Sequence, residues 1–208
     1  MSVKPDVVIC TATLDPEAGL KVCSEAVGKT RLRTWTYIAL DRAHAGGVKT
    51  ANEGLRWALE QTDAPYICYM NDDVDQFPQG WLERMIEALE SNEHYCTTAP
   101  GGHCATAPQC KAVQGMPRGV EVVKHVSHFC VVHKRSALVD VGLFDEAFYH
   151  YGCDNDWNLR AVKKGWQIVW VRDVWVNHFG CHPGRRVVEW MEHDQALYKK
   201  RLKEGYYV

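Results

Sequence analysis

No apolar run in these 208 residues approaches the roughly 20 that a membrane-spanning helix needs. The opening residues, MSVKPDVVIC, lack the zoned layout of a secretory leader, and their short apolar run reads as a first strand. An excess of one charge is also missing. Lys+Arg total 24 against 26 Asp+Glu, a formal net charge of -2, so no overall basic field draws the chain to nucleic acid or an anionic membrane. There is no G-x-G-x-x-G and no G-x-x-x-x-G-K-[ST], which argues against an ordinary dinucleotide site or a P-loop. No C-x-x-C pair occurs, and the 9 cysteines are an odd count scattered through regular segments. They read as reduced thiols of a cytosolic protein rather than a disulfide framework. Without repeats, low-complexity tracts or a linker, the length fits one domain, and 46% hydrophobic residues suffice for a sizeable core.

What the chain does have is organised around Tyr66-Ile-Cys-Tyr-Met-Asn-Asp-Asp-Val-Asp75. The apolar run to Met70 suits a strand buried on both faces of a parallel sheet. It ends in Asp72, Asp73 and Asp75, where ligands bind in open α/β sheets. Clustered carboxylates repel, and a divalent Mg or Mn, which prefers hard oxygen ligands, offsets that charge. A solvated acidic turn is the plainer alternative. The layout repeats upstream. DVVICT (6–11) reads as a strand, and Asp15-Pro16 then starts a helix to about Val27, with Asp as N-cap. Thr34–Leu40 is a second strand ending at Asp41, and the helix in KTANEGLRWALEQ follows, with Ala51, Leu55, Ala58 and Leu59 at helical spacing. This βαβαβ order lines Asp15, Asp41 and Asp72–Asp75 along one sheet edge. An aspartate there can bind a ribose hydroxyl or a base N–H.

Further on, Pro78 opens a helix with Leu82, Met85, Ile86 and Leu89 inward, and Tyr95–Ala99 is a strand. A glycine- and proline-rich loop, 100–120, gives way to strand character over 120–133 and a helical turn near Ser136. In GLFDEAFYHYGCDNDWNLRAVKKGW, Asp154 can cap a helix that buries Trp157, Ala161, Leu159 and Val162 and stops at Gly165. Acids at 154 and 156 also suit the helix dipole with no further role. A strand over 167–171 precedes WVNHFGCHPGRR. The tail from Arg185 to Lys203 reads as an amphipathic helix with Val188, Met191 and Leu202 inward and basic residues outward.

Three segments in order resemble the inverting family 2 glycosyltransferases with a GT-A fold. They are YIALD41 with its glycine-containing loop and TANEGL, then YMNDDVDQFPQGWL, then VGLFDEAFYHYGCDNDWNLRAVKKGW running on to His178. The resemblance implies an α/β domain over 1–208, with a mixed, mostly parallel sheet flanked by helices. Residues 1–99 would be the nucleotide-sugar-binding half, 100–184 the acceptor-side half and 185–208 a C-terminal helix. It implies a metal-dependent, inverting transfer of a sugar from a nucleotide-diphosphate donor, a UDP-sugar foremost, to an acceptor hydroxyl. Asp73 matches the last acid of the DXD segment, with Asp72 and Asp75 beside it, and His178 completes a Mn2+ or Mg2+ site. Asp41 would meet base or ribose, and Thr11, Asp15, Asn52, Asp72 and Arg185 would serve the donor. Asp154 matches the catalytic base, with Asp156 close behind. Two positions depart from the pattern. Asn71 stands first in the DXD segment if Asp73 is last, which leaves Asp75 as a rival ligand, and Cys153 replaces the Glu before the base.

Rival expectations remain. A structural zinc would draw on Cys96, His103, Cys104, Cys110, His125, His128, Cys130 and His133, or on His178, Cys181 and His182, although the spacing is irregular. A nucleotidyltransferase would use the same edge, yet TATLDPEAG lacks the basic residue that holds a triphosphate. A nucleotide- or sugar-binding module without transfer activity is the third. The acceptor is open between a small molecule, a glycan and a modified nucleic-acid base, the last served by Lys199, Lys200, Arg201 and Lys203.

Overall fold

The computed structural model describes residues 4–103, 105, 109–110, 118–180 and 188–208. Strand β1 (Val7–Thr13), helix α1 (Pro16–Gly28), strand β2 (Thr34–Leu40), helix α2 (Gly47–Gln61) and strand β3 (Tyr66–Asn71) alternate as expected. Val7 pairs with Thr34 on one side and Tyr66 on the other, both in parallel register. The period of two along β1 divides the core. Val7 and Ile9 pack with Val22, Cys23 and Ala26 of α1, whereas Val8 and Cys10 pack with Val48, Ala51, Leu55 and Ala58 of α2. The sheet is therefore the middle of three layers.

The remaining elements are β4 (Val74–Asp75), α3 (Trp81–Glu90), β5 (Tyr95–Gly101), β6 (Val120–Val123), β7 (Cys130–Lys134), α4 (Arg135–Val141), α5 (Cys153–Lys163), β8 (Gln167–Trp175), β9 (Asn177–His178) and α6 (Val188–Lys203). The main sheet runs β2-β1-β3-β7-β5-β8-β6. The pairings leave β6 and β7 antiparallel to the other five strands, so the sheet is mixed and mostly parallel. Among the described residues no helix is long and apolar enough to cross a membrane.

Several local expectations are corrected. The run over 120–133 is two strands, β6 and β7, held apart in the sheet by β5 and β8. α3 starts at Trp81 because Gly80 takes a left-handed φ of 74° that breaks the chain direction after Pro78. Gly152 (φ 73°), not Asp154, occupies the cap position of α5, and Val162 is 45% exposed. In α6, Val188 and Leu202 are 53% and 50% exposed. Its inward residues include Asp194, Leu197, Tyr198 and Arg201, because Asp194's bonds to peptide N–H groups and Arg201's charge pairs, rather than an apolar stripe, fasten it.

Candidate active site

β3 leaves the sheet at Asn71, and the chain folds back so that β4 pairs antiparallel with β9. This two-residue ladder joins segments about a hundred residues apart and puts Asp73 Oδ1 3.3 Å from His178 Nε2. The His178 ring lies flat on Phe129, centroids 4.6 Å apart and planes 9° apart. The Phe179 N–H donates to the Asp73 carbonyl (3.0 Å). Gly180 passes so close that a Cβ there would stand 2.5 Å from His178 Cε1 and 2.8 Å from Nε2. Asp72 Oδ2 accepts from the Thr13 hydroxyl (2.6 Å) at the end of β1. Asp75 is the ladder partner of Asn177 and accepts from its Nδ2 (2.9 Å). Among the described residues no three His, Cys, Asp or Glu side chains converge on a metal position. What the fold brings together is the Asp73–His178 pair. A carboxylate and an imidazole suit Mg or Mn when phosphate oxygens and water fill the other positions. A groove of about 210 Å³ opens beside this turn, with Lys21 and Glu25 of α1 facing Asp72, Asp73 and Asp75.

Asp154 lies in the first turn of α5, half-buried, its Oδ1 accepting the Asn155 N–H (2.8 Å). Two neighbours tie it to the acidic turn. Burial pushes the Tyr69 hydroxyl far up, and Cys153, Asp72, Asp73 and Asp154 add to it. His150 is held below its ordinary value by burial of its ring, against the pull of Asp194, Asp73 and Asp154. Each feels both Asp73 and Asp154, so both acids act on the same two side chains. The Cys153 thiol, raised first by burial and then by Asp154, stays protonated and does not replace a carboxylate chemically.

The other expected positions have structural employment. Asp41 accepts from the Ala45 and Gly46 N–H groups (2.7 and 3.1 Å) and so shapes the turn into α2 from the end of β2. Asp15 caps α1 through the Glu17 N–H (2.9 Å). Thr11 is fully buried against the Cys23 thiol (3.3 Å) and does not open on the cleft; Thr13, one pair nearer the strand end on the same face, does the contacting. Asn52 is buried too. Its amide donates to the Phe144 carbonyl (2.8 Å) and Glu146 (3.1 Å) and accepts the Phe144 N–H (3.1 Å), which bridges α2 to the 144–146 loop. Asp156, the second candidate beside Asp154, points about 200° around the helix from it. There it is fully buried, accepting from Arg160 (2.7 Å), Arg201 (2.6 Å) and Tyr207 (2.7 Å). Arg185, Cys104, Cys181 and His182 lie outside the described residues.

The zinc expectation meets no cluster among the described residues. His128 and His133 pack edge-on to each other and to Trp157, and Cys96 donates to the Gln167 carbonyl (3.3 Å). Sequence reasoning missed Thr13, Phe129, His150 and Lys21. Thr13 shares a face and a side-chain type with Thr11, a signal that strand parity alone could have used. The others carry no local signal.

The seven-stranded, mostly parallel sheet flanked by helices has the architecture of a GT-A glycosyltransferase domain. Residues 22–133 match the family Glycosyl transferase family 2, and the chain belongs to it. No curated protein matches by sequence. Among solved structures, GalNAc-T7, crystallised with UDP, GalNAc and Mn2+, aligns with a TM-score of 0.62 at 9% identity over 84% of this chain and 44% of its own. TarS 1-349 from S. aureus aligns at 0.57 and 12% identity over 83% of this chain and 60% of its own, and A197 from STIV at 0.55 and 13% over 83% and 85%. The chain thus spans less than half the length of the GalNAc-T7 chain, and these likenesses concern the fold.

Proposed function

We propose that this chain transfers a sugar from a UDP-sugar to an acceptor hydroxyl with inversion, using Mn2+ or Mg2+. The observation that carries the reading is the Asp73–His178 contact of 3.3 Å at the carboxyl edge of the sheet. Asp73 and His178 would hold the ion. When bound, it neutralises charge on the departing diphosphate. Asp154 takes the acceptor hydroxyl proton as the acceptor oxygen bonds to the anomeric carbon and the carbon–phosphate oxygen bond breaks on the opposite face. One displacement inverts the centre, and no covalent nucleophile is needed. Asp41 and Asp72 border the donor side, where Thr13 fixes the Asp72 carboxylate. The UDP and Mn2+ named with the GalNAc-T7 structure support the donor and metal classes. The family match favours sugar transfer over nucleotidyl transfer.

The test is thermal stability with a panel of nucleoside diphosphates and UDP-sugars, with and without Mn2+. Binding to the native state alone adds about 2.7 kcal/mol at a hundredfold excess over Kd. UDP should raise the midpoint only with metal, and Asp73→Ala should abolish that rise. Asp154→Asn should keep the rise while sugar transfer falls to background. No metal-dependent shift with any nucleotide would end the reading.

A further inference from the structure

The turn that carries Asp154 is held by α6. Asp194 of α6 is fully buried. Its Oδ1 accepts the Tyr149 N–H (3.0 Å), and its Oδ2 accepts the N–H groups of His150 and Tyr151 (both 2.8 Å). His193 Nδ1 lies 3.0 Å from the same carboxylate. Three consecutive peptide N–H groups converge on one side chain. On its other side the turn presses on the start of α2, where Val48 N–H donates to the Tyr149 carbonyl (3.1 Å). Glycine is required there, because a Cβ on Gly46 would stand 2.6 Å from Tyr149 O and one on Gly47 2.5 Å from His150 Nδ1. Beyond Asp154 the second buried carboxylate, Asp156, takes Arg201 and Tyr207, and Arg201 also reaches Asp145 (2.6 Å). Asp194 and Arg201 are seven residues apart, two turns of one helix, and so share a face.

We infer that α6 is a clamp on the catalytic turn, with Asp194 and Arg201 as positioning residues for Asp154. The inference rests on Asp154 being the base. Residues 149–151 are fixed by Asp194 and residue 156 by Arg201, so the backbone is pinned on both sides of Asp154. Gly152 (φ 73°) turns the chain between the two anchors. Asp73 and His178 make no hydrogen bond to Asp194 or Arg201 among the contacts described, so the clamp acts on the base first and on donor binding less.

The experiment compares wild type, Asp194→Asn and Tyr207→Phe. It measures Mn2+-dependent UDP affinity, kcat and KM with UDP-N-acetylgalactosamine and UDP-glucose in transfer or donor hydrolysis, and hydrogen exchange of the 149–151 amides. A misplacement of about 1 Å costs on the order of 100-fold. Asp194→Asn should lose about that in kcat, keep UDP affinity and donor KM within about twofold, and expose the three amides to exchange. Unchanged kcat, or UDP affinity falling in step with kcat, overturns the clamp. If Asp194→Asn does not fold, Tyr207→Phe decides. A several-fold fall in kcat at constant UDP affinity supports the clamp, and no fall overturns it. Wild type that consumes no UDP-sugar removes the transferase reading. Amide protection in wild type and its loss or retention in Asp194→Asn then judge the clamp alone.

Discussion

At Gly180 a hydrogen is the only side chain the site accepts. Its α-carbon passes over the imidazole of His178, and Phe129 backs the ring on the other face, so the ring has no retreat from an added methyl. Groups that orient a ligating histidine typically contribute 10–100-fold to metal affinity. Gly180→Ala should therefore weaken Mn2+-dependent UDP binding by about tenfold in calorimetry, beyond an overpacking cost of about 1–3 kcal/mol in metal-free stability. Unaltered binding would mean His178 is not a ligand. The same scale explains which site residues were readable. Asp73 and His178 follow from the order of the family's segments. Asp75 does not, because its bond to Asn177 depends on the two-residue ladder with β9. Nor does the burial of Asp156, which depends on Arg201 and Tyr207 arriving from another element.

Among elements, α2 is the one that ties the first strands to the 144–146 loop. Asn52 satisfies both backbone groups of Phe144, and Arg56 pairs with Glu146 (2.8 Å) at the exposed end of the same contact. Asn52→Ala leaves a buried N–H and C=O without partners, which costs about 2 kcal/mol or more. Urea denaturation should show that loss, and an unchanged midpoint would dismiss the bridge. Legibility varied by element for a physical reason. β2 reads to the residue, Thr34–Leu40, because a β-branched and aromatic run stands between clear breaks. The split of 120–133 into β6 and β7 does not read, because strand character says nothing about which neighbours a strand will find. α6 misled the amphipathic rule, since Asp194 is buried on three peptide N–H groups and Arg201 pairs with Asp145 and Asp156, while Leu202 is half exposed.

For the molecule as a whole, the buried histidines set the response to acid. His133 has no hydrogen-bond partner on either ring nitrogen, and burial, helped by His128, holds its pKa well below the ordinary 6.5. His128 is lowered as well, by burial against the pull of Asp154. A folded pKa below the unfolded one means that the unfolded chain binds more protons once the pH drops below 6.5. Stability is thus complete above that value and declines with acid, by up to about 1.4 kcal/mol per pH unit for each histidine. Asp6, held low by Arg33, contributes above its ordinary 3.8 and loses that only in stronger acid, so the window from pH 6.5 to 5 belongs to the histidines. Chemical denaturation across it should show this slope, flattened in His133→Leu; a level wild-type profile would refute it.

His133 also sits on the seam of the sheet. β3 and β5 follow each other along the chain with only β4 and α3 between, yet they never pair. Val132 of β7 meets Cys68 on one side and Thr98 on the other. The β1–β3 unit can form from neighbouring segments, but its join to the second half waits for a strand made later, which must enter a slot between two edges. Such non-local closure is slow. During synthesis the growing chain is expected to carry two open strand edges until β7 emerges, and that interval is when a chaperone, or another copy of the same chain, would find it.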